Sequence, residues 1–160
     1  MMMPHDRQLE RCWRRAAGLI VTGDILLCAS EPSPFLLASL EYEERSALQV
    51  VTPTTLRTTP TLCVAIAQAG GDDGSLAFET SQYACVMLAL RFRIPCYALL
   101  PHGPRAGATI DPLLGSNQWH VVDAEQVAAI ITDRGIYRPA MLTRHHSEGE
   151  APLDVIPLIG

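Results

Sequence analysis

Cys28 closes the apolar run Ile25 to Ala29, with Ser30 and Glu31 beside it. A cysteine at a strand end can supply a thiolate for nucleophilic attack or proton abstraction, whereas one packed inside the run is simply core. His102, in Pro101-His102-Gly103, offers an acid, a base or a hydrogen-bond donor. The segment Gly70-Gly71-Asp72-Asp73-Gly74 follows an apolar run and precedes a helical pattern. Its backbone amides and the helix start could hold an anionic group, or Asp72 or Asp73 could cap the helix or bind a sugar hydroxyl. Arg105 and Arg57 are equal candidates for an anion contact, since arginine binds carboxylate and phosphate in a bidentate manner. His145-His146 are adjacent with no spaced partner, which makes a poor ligand set, so no metal site is expected.

Composition removes several chemistries. All 12 basic residues are arginine, so a lysine Schiff base, a pyridoxal-phosphate lysine and a P-loop lysine are excluded. No cofactor is called for. A net charge of −5 lacks the positive field that nucleic-acid binding needs. No apolar stretch approaches the ~20 residues of a membrane span. The opening Met1 to Glu10 is polar, without a signal core, so cytoplasm is the default expectation. Five cysteines, with no C-x-x-C pair, read as reduced and mostly buried.

These residues must be positioned by a chain of 160 residues, enough for one core. Leu9, Cys12, Trp13, Ala16, Ala17 and Ile20 recur at helical spacing, giving an entry helix over 6–20. Apolar runs at Ile25–Ala29, Ala47–Thr52, Leu62–Ala67, Cys96–Leu100 and Trp119–Val122 read as strands, and Pro34–Glu44 as a helix. Phe78, Tyr83, Val86, Met87 and Leu90 predict one helix over Leu76–Arg91. Asp123 as N-cap, Val127, Ile130 and Ile131 on one face and Gly135 at C′ predict another. Unbroken apolar strands alternating with helices give a small, doubly wound, mainly parallel α/β sheet, Rossmann-like, with helices on both faces. Ligands of such sheets bind beyond the strands' carboxyl ends: Cys28–Glu31, Thr52–Thr55 (with Thr54), Gln68–Gly74 and His102–Arg105.

Within this frame Asp73-Gly74, Tyr83, Ile94-Pro95, Tyr97, Pro101 and Thr109-Ile110-Asp111 follow one another in a recognisable order. So do Gly23-Asp24-Ile25-Leu26 and the continuous run Ala124 to Pro139. The pattern resembles the C-terminal domain of methylthioribose-1-phosphate isomerases, ribose-1,5-bisphosphate isomerases and the regulatory subunits of initiation factor 2B. The resemblance covers about residues 22–139, leaving 1–21 as an N-terminal helix and 140–160 as a tail. It implies an aldose-to-ketose isomerisation using a cysteine and an aspartate. Ungapped alignment from Gly23-Asp24 puts Ser30 at the cysteine position, and a two-residue slip puts Cys28 there. Alignment from Tyr83 puts Gln68 at the catalytic aspartate and Phe78-Glu79 at an Asn-Lys pair. Glutamine is no base, and an acid in place of lysine repels phosphate.

The expectation is therefore an isomerase-like, initiation-factor-2B-like module binding a sugar-phosphate-like or nucleotide-like molecule, a protein partner, or both. The alternative is altered sugar chemistry, an isomerase, lyase or hydrolase, with Cys28 or Ser30 among Glu31, Asp72, Glu79 and His102. A homodimer is expected, and the apolar tail Ala151 to Gly160 could dock on its own sheet or a neighbour's.

Overall fold

The computed structural model describes residues 4–30, 33–42, 48–71, 74–104 and 119–139. Helix α1 (Pro4–Ala17) leads to strand β1 (Ile25–Leu27), helix α2 (Pro34–Tyr42), β2 (Gln49–Val51) and β3 (Leu62–Ile66). Then come β4 (Ala69–Gly70), β5 (Leu76–Glu79), α3 (Thr80–Phe92), β6 (Cys96–Leu99), β7 (Trp119–Val122), a 3-10 turn at Ala124–Gln126, β8 (Ala129–Ile131) and β9 (Ile136–Tyr137). The main sheet runs β2-β1-β3-β6-β8-β9. Its first five strands are parallel and β9 closes it antiparallel. The chain goes from β1 outward to β2 and then crosses to β3 on β1's other side, so the winding reverses between β1 and β3. That is where a doubly wound sheet opens its crevice.

Leu62, Cys63, Val64 and Ala65 of β3 are all buried. Successive strand side chains point to opposite faces, so both faces of this central strand are covered. The α/β class read from the sequence is the observed one. Helix α1 lays Cys12, Trp13, Ala16 and Ala17 into the core and packs on α2, β6 and β8. Burial contributes about 0.8 kcal/mol for each methyl-sized group, as at Ala16 and Ala17, and more for the large Trp13 side chain. Its opposite stripe carries arginines, and Arg14 pairs with Glu10 at 2.8 Å.

The amino edge of the sheet is tied by one polar network. Asp24 accepts from the Val21 amide and from the Thr61 hydroxyl, each at 2.8 Å, and Thr61 Oγ1 accepts the Ile25 amide at 2.8 Å. Gly23-Asp24 is thus a structural clasp joining the starts of β1 and β3, at the end of the sheet opposite the strand tips.

Three expectations need correction. Leu76–Glu79 is strand β5, not the first turn of a helix. Gly74, at φ 89°, turns the chain so that β5 pairs back on β4 and then with β7, and the helix begins only at Thr80. Trp119–Val122 accordingly belongs to a separate antiparallel sheet, β4-β5-β7, rather than to the parallel one. Finally, the helix expected after Asp123 is a 3-10 turn followed by β8 and β9. The β-branched pair Ile130-Ile131 gains more from pairing beside Ala98 and Leu99 than from a helical turn. Gly135 serves the β8–β9 turn, its carbonyl accepting the Thr132 amide at 2.9 Å.

Candidate functional site

Because β2, β1, β3, β6 and β8 are parallel, their carboxyl ends share one edge. That edge carries Cys28 and Ser30 after β1, Thr52–Thr55 after β2, Gln68 after β3 and His102 after β6. A cleft of about 320 Å³ opens between the tips of β3 and β6, one strand away from the reversal between β1 and β3, lined by Gln68, Gly70, Leu100, Pro101, His102 and Pro104 among others. Two residues from separate stretches of sequence, Gln68 and His102, are thereby brought to one cleft. Neither Cys28 nor Thr54 lines it.

Gln68 is placed by its backbone. Its N–H donates to the Ala77 carbonyl at 2.8 Å, where β3 passes into β4, and the residue is exposed. Gly103 takes a left-handed φ of 72°, and its amide donates to Leu100 at 3.0 Å, which turns the chain sharply beside His102. Gly70 answers to packing. A Cβ there would lie 2.7 Å from Leu100 Cδ2 and 3.1 Å from Leu76 Cδ2.

In the glycine loop two backbone amides are already engaged. The Gly71 amide donates to Ser75 at 2.9 Å and the Gly74 amide to Gly71 at 3.0 Å, so both are used within the turn. A strand rather than a helix follows. Asp72, Asp73, Glu31 and Arg105, expected at the same edge, lie outside the described residues, as do Thr109-Ile110-Asp111, His145-His146 and the tail. Arg57 and Thr54 are exposed. The threonine turn satisfies itself, with Thr52 Oγ1 3.2 Å from Thr54 Oγ1 and 2.8 Å from Thr55 Oγ1.

Cys28 is 5% exposed and its Sγ donates to the Ser30 carbonyl at 2.9 Å. Burial first, and the neighbouring Cys85 second, push its thiol from 9.0 to about 11, with a Ser30 backbone hydrogen bond opposing. At neutral pH it is a thiol, not a thiolate. Hydrogen bonding to Cys85 and Cys96, together with burial, holds Cys63 well above the usual thiol range too. All five cysteines are free and buried, as the odd count and apolar settings indicate. Among the described residues no group of His, Cys, Asp and Glu could hold a metal ion.

Glu79 sits on the second sheet, opposite Trp119, at the N-cap of α3. It is exposed, makes no capping hydrogen bond with its side chain, and does not line the cleft.

Two positioning residues escape a reading of the sequence. Gln82 of α3 accepts the Ile66 amide on its Oε1 at 2.9 Å, satisfying the last residue of β3. Tyr83 stacks on His120 of β7, with ring centroids 4.3 Å apart and planes 10° apart, and His120 Nε2 lies 3.2 Å from Thr80 Oγ1. Helical spacing could flag Gln82 only as a polar residue on a sheet-facing stripe. Nothing in sequence places His120 beside Tyr83.

No family model and no curated protein matches the chain. Solved structures do. The tetrameric eIF2B-beta2-delta2 complex from C. thermophilum aligns with TM-score 0.62 at 12% identity over 86% of this chain and 58% of that one. The eIF2B beta subunit of Chaetomium thermophilum gives 0.63 at 13%, over 92% and 55%. The 5-methylthioribose 1-phosphate isomerase of Pyrococcus horikoshii gives 0.58 at 14%, over 89% and 59%. The chain thus spans little more than half the length of the structures it matches. At these identities the likeness is one of fold, and it is the likeness that the sequence pattern over 22–139 pointed to: this chain has the α/β fold shared by eIF2B subunits and methylthioribose-1-phosphate isomerase.

Proposed function

We propose that the chain is a binding module of isomerase-like, eIF2B-like fold that holds a small sugar-like or nucleotide-like molecule at the carboxyl edge and acts through association with protein chains, without isomerising its ligand. The observation that carries this is Gln68. By alignment from Tyr83 it stands where the resemblance calls for an aspartate, and it lines the cleft with its amide at the surface. An amide cannot accept the proton that an aldose-to-ketose shift must move. Cys28, the available nucleophile, is a buried thiol with its proton engaged by the Ser30 carbonyl. Association as a homodimer or higher oligomer is supported by the tetrameric assembly named for one neighbour.

A thermal-shift panel of aldose phosphates, nucleosides and nucleotides tests the binding half. A true ligand at 100 times its Kd stabilises by about 2.7 kcal/mol, several degrees for a chain of this size. A panel without any shift refutes it. Turnover of an aldose 1-phosphate by the unaltered chain refutes the non-catalytic half. Gain of turnover in Gln68→Asp instead supports an inherited site whose base has been replaced. Size-exclusion chromatography reads the association directly, and a monomer at micromolar concentration removes that part of the proposal.

A further inference from the structure

The gap between β1 and β3, where the winding reverses, holds a side chain whose orientation is fixed by the strand beside it. The amides of Cys63 and Ala67 donate to the Pro95 and Leu99 carbonyls at 2.9 and 2.8 Å, so the odd-numbered amides along this segment face β6. The Ile66 amide lies out of phase with them and faces the β1 side. By that point β1 has ended, since Leu27, its last residue, pairs with Cys63. Gln82 of α3 takes the place of a strand carbonyl, its Oε1 accepting the Ile66 amide at 2.9 Å. Of the two ends of a glutamine amide only the oxygen can accept, so this contact settles which way the group points. Oε1 is held by the strand, and Nε2, with two donors, occupies the other side of a partly buried side chain. The needs of the strand alone do not call for an amide. Gln82 is the third residue of α3, where the helix dipole favours a carboxylate, and a carboxylate would accept the Ile66 amide in a stronger, charge-assisted bond. What glutamine has there and glutamate at neutral pH lacks is a donor. On the β1 side of the gap stand Cys28, whose thiol is engaged by the Ser30 carbonyl at 2.9 Å, and the exposed Ser30. Doubly wound sheets seat their ligands at such a reversal.

We propose that Gln82 is a ligand-binding residue: its Nε2, oriented by the Ile66 amide, donates to an oxygen of the molecule held at the carboxyl edge, in the gap between β1 and β3. The proposal rests on the binding reading above and deepens it by naming the group that grips the ligand and the chemistry gripped, an acceptor oxygen of a hydroxyl, carbonyl or phosphoryl group. The bond between Ile66 and Gln82 then does two things. It closes the end of β3, and it sets the donor in place before the ligand arrives, which spares the complex the entropy of ordering that side chain.

Gln82→Glu in the full chain separates these two roles. The carboxylate keeps an acceptor for Ile66 and suits the first turn of α3, so the Tm is expected to hold or rise. Binding is read by titration calorimetry with uridine, adenosine monophosphate and ribose 5-phosphate, at a temperature where circular dichroism shows each chain folded. Salt of about 300 mM screens long-range repulsion by the new charge. Affinity is expected to fall at least about tenfold for every probe that the unaltered chain binds. Gln82→Leu, which loses acceptor and donor together, is expected to lower both affinity and Tm. Affinity unchanged in Gln82→Glu makes Gln82 a structural residue only and overturns the proposal. A loss confined to the two phosphates and abolished by the salt does the same. Binding lost in Gln68→Leu but kept in Gln82→Glu seats the ligand in the β3–β6 cleft, which overturns the proposal and leaves the binding reading standing. Binding of none of the three probes by the unaltered chain overturns both.

Discussion

Alkylation of Cys28 is a direct measure of what the strand tip after β1 can do. A thiol at 9.0 is about 1% thiolate at pH 7, and one pushed to about 11 is about 0.01%. Ionisation alone therefore slows iodoacetamide about 100-fold relative to the same cysteine in the unfolded chain. Burial at 5% exposure slows it further, since the reagent must reach Sγ. Peptide mapping by mass spectrometry at several times and pH values separates the five cysteines, with the urea-unfolded chain as reference. Cys12, raised to about 12 by burial and by Asp133 against an opposing Arg15, provides an internal control expected to be slower still. The folded rate at Cys28 should climb about tenfold per pH unit through pH 9 and 10. A rate at pH 7 equal to that of the unfolded chain, or a plateau near pH 8, would show an activated thiolate and refute the account of Cys28 as core.

The same two thiols bear on alkaline stability. Both sit above their unfolded value of 9.0 in the folded chain, so their contribution is full below about pH 9 and is lost as pH rises towards 11 and 12. The loss approaches about 1.4 kcal/mol per pH unit for each thiol, and a urea midpoint that is flat between pH 9 and 11 would contradict it. Gly70→Ala should cost about 1–3 kcal/mol by driving a methyl against Leu100, and Leu100→Val in the same chain should recover part of that cost. Strict additivity in denaturant melts would mean that Gly70 is not a packing residue. Arg93, at φ 57°, ends α3 in the left-handed conformation with its amide on Leu90 and Ala89. Arg93→Gly should therefore raise stability by about 1 kcal/mol, read as a higher Tm, and a lower one would refute the assignment.

Four strands of the parallel core, β1, β2, β3 and β6, were legible because they are short, mostly apolar runs set off by turn residues. The second sheet was not. Leu76, Phe78 and Tyr83 fit a helical spacing as well as a mixed one, and only pairing with β4 and β7, about 6 and 45 residues away in sequence, decides for a strand at Leu76–Glu79. Ile130-Ile131 failed in the same way: a capping aspartate upstream and a glycine downstream frame a helix, and a vacant edge beside β6 overrides them. At the site, the alternation of apolar strands with helices already places Gln68 and His102 at one edge. The roles of Gly70, Gly71 and Gly74 were illegible, since a glycine needed for a Leu100 contact or a turn looks in sequence like one needed for a phosphate.

The two ends of the sheet answer to different demands. Gly23-Asp24 and Thr61 form a clasp at the amino edge that registers β1 against β3 whatever the ligand. Tyr83, stacked on His120, likewise fixes α3 to β7. These are demands of the scaffold, and a chain that keeps them keeps the fold. At the carboxyl edge the demand falls on Cys28, Gly70 and Leu100, which pack in the core, and not on Gln68. Gln68 is exposed there and bonded only through its backbone N–H to Ala77, so substitutions at its side chain alter what the cleft accepts at small cost in stability. A fold-level likeness therefore leaves the ligand open, and the ligand has to be argued from the residues at the carboxyl edge.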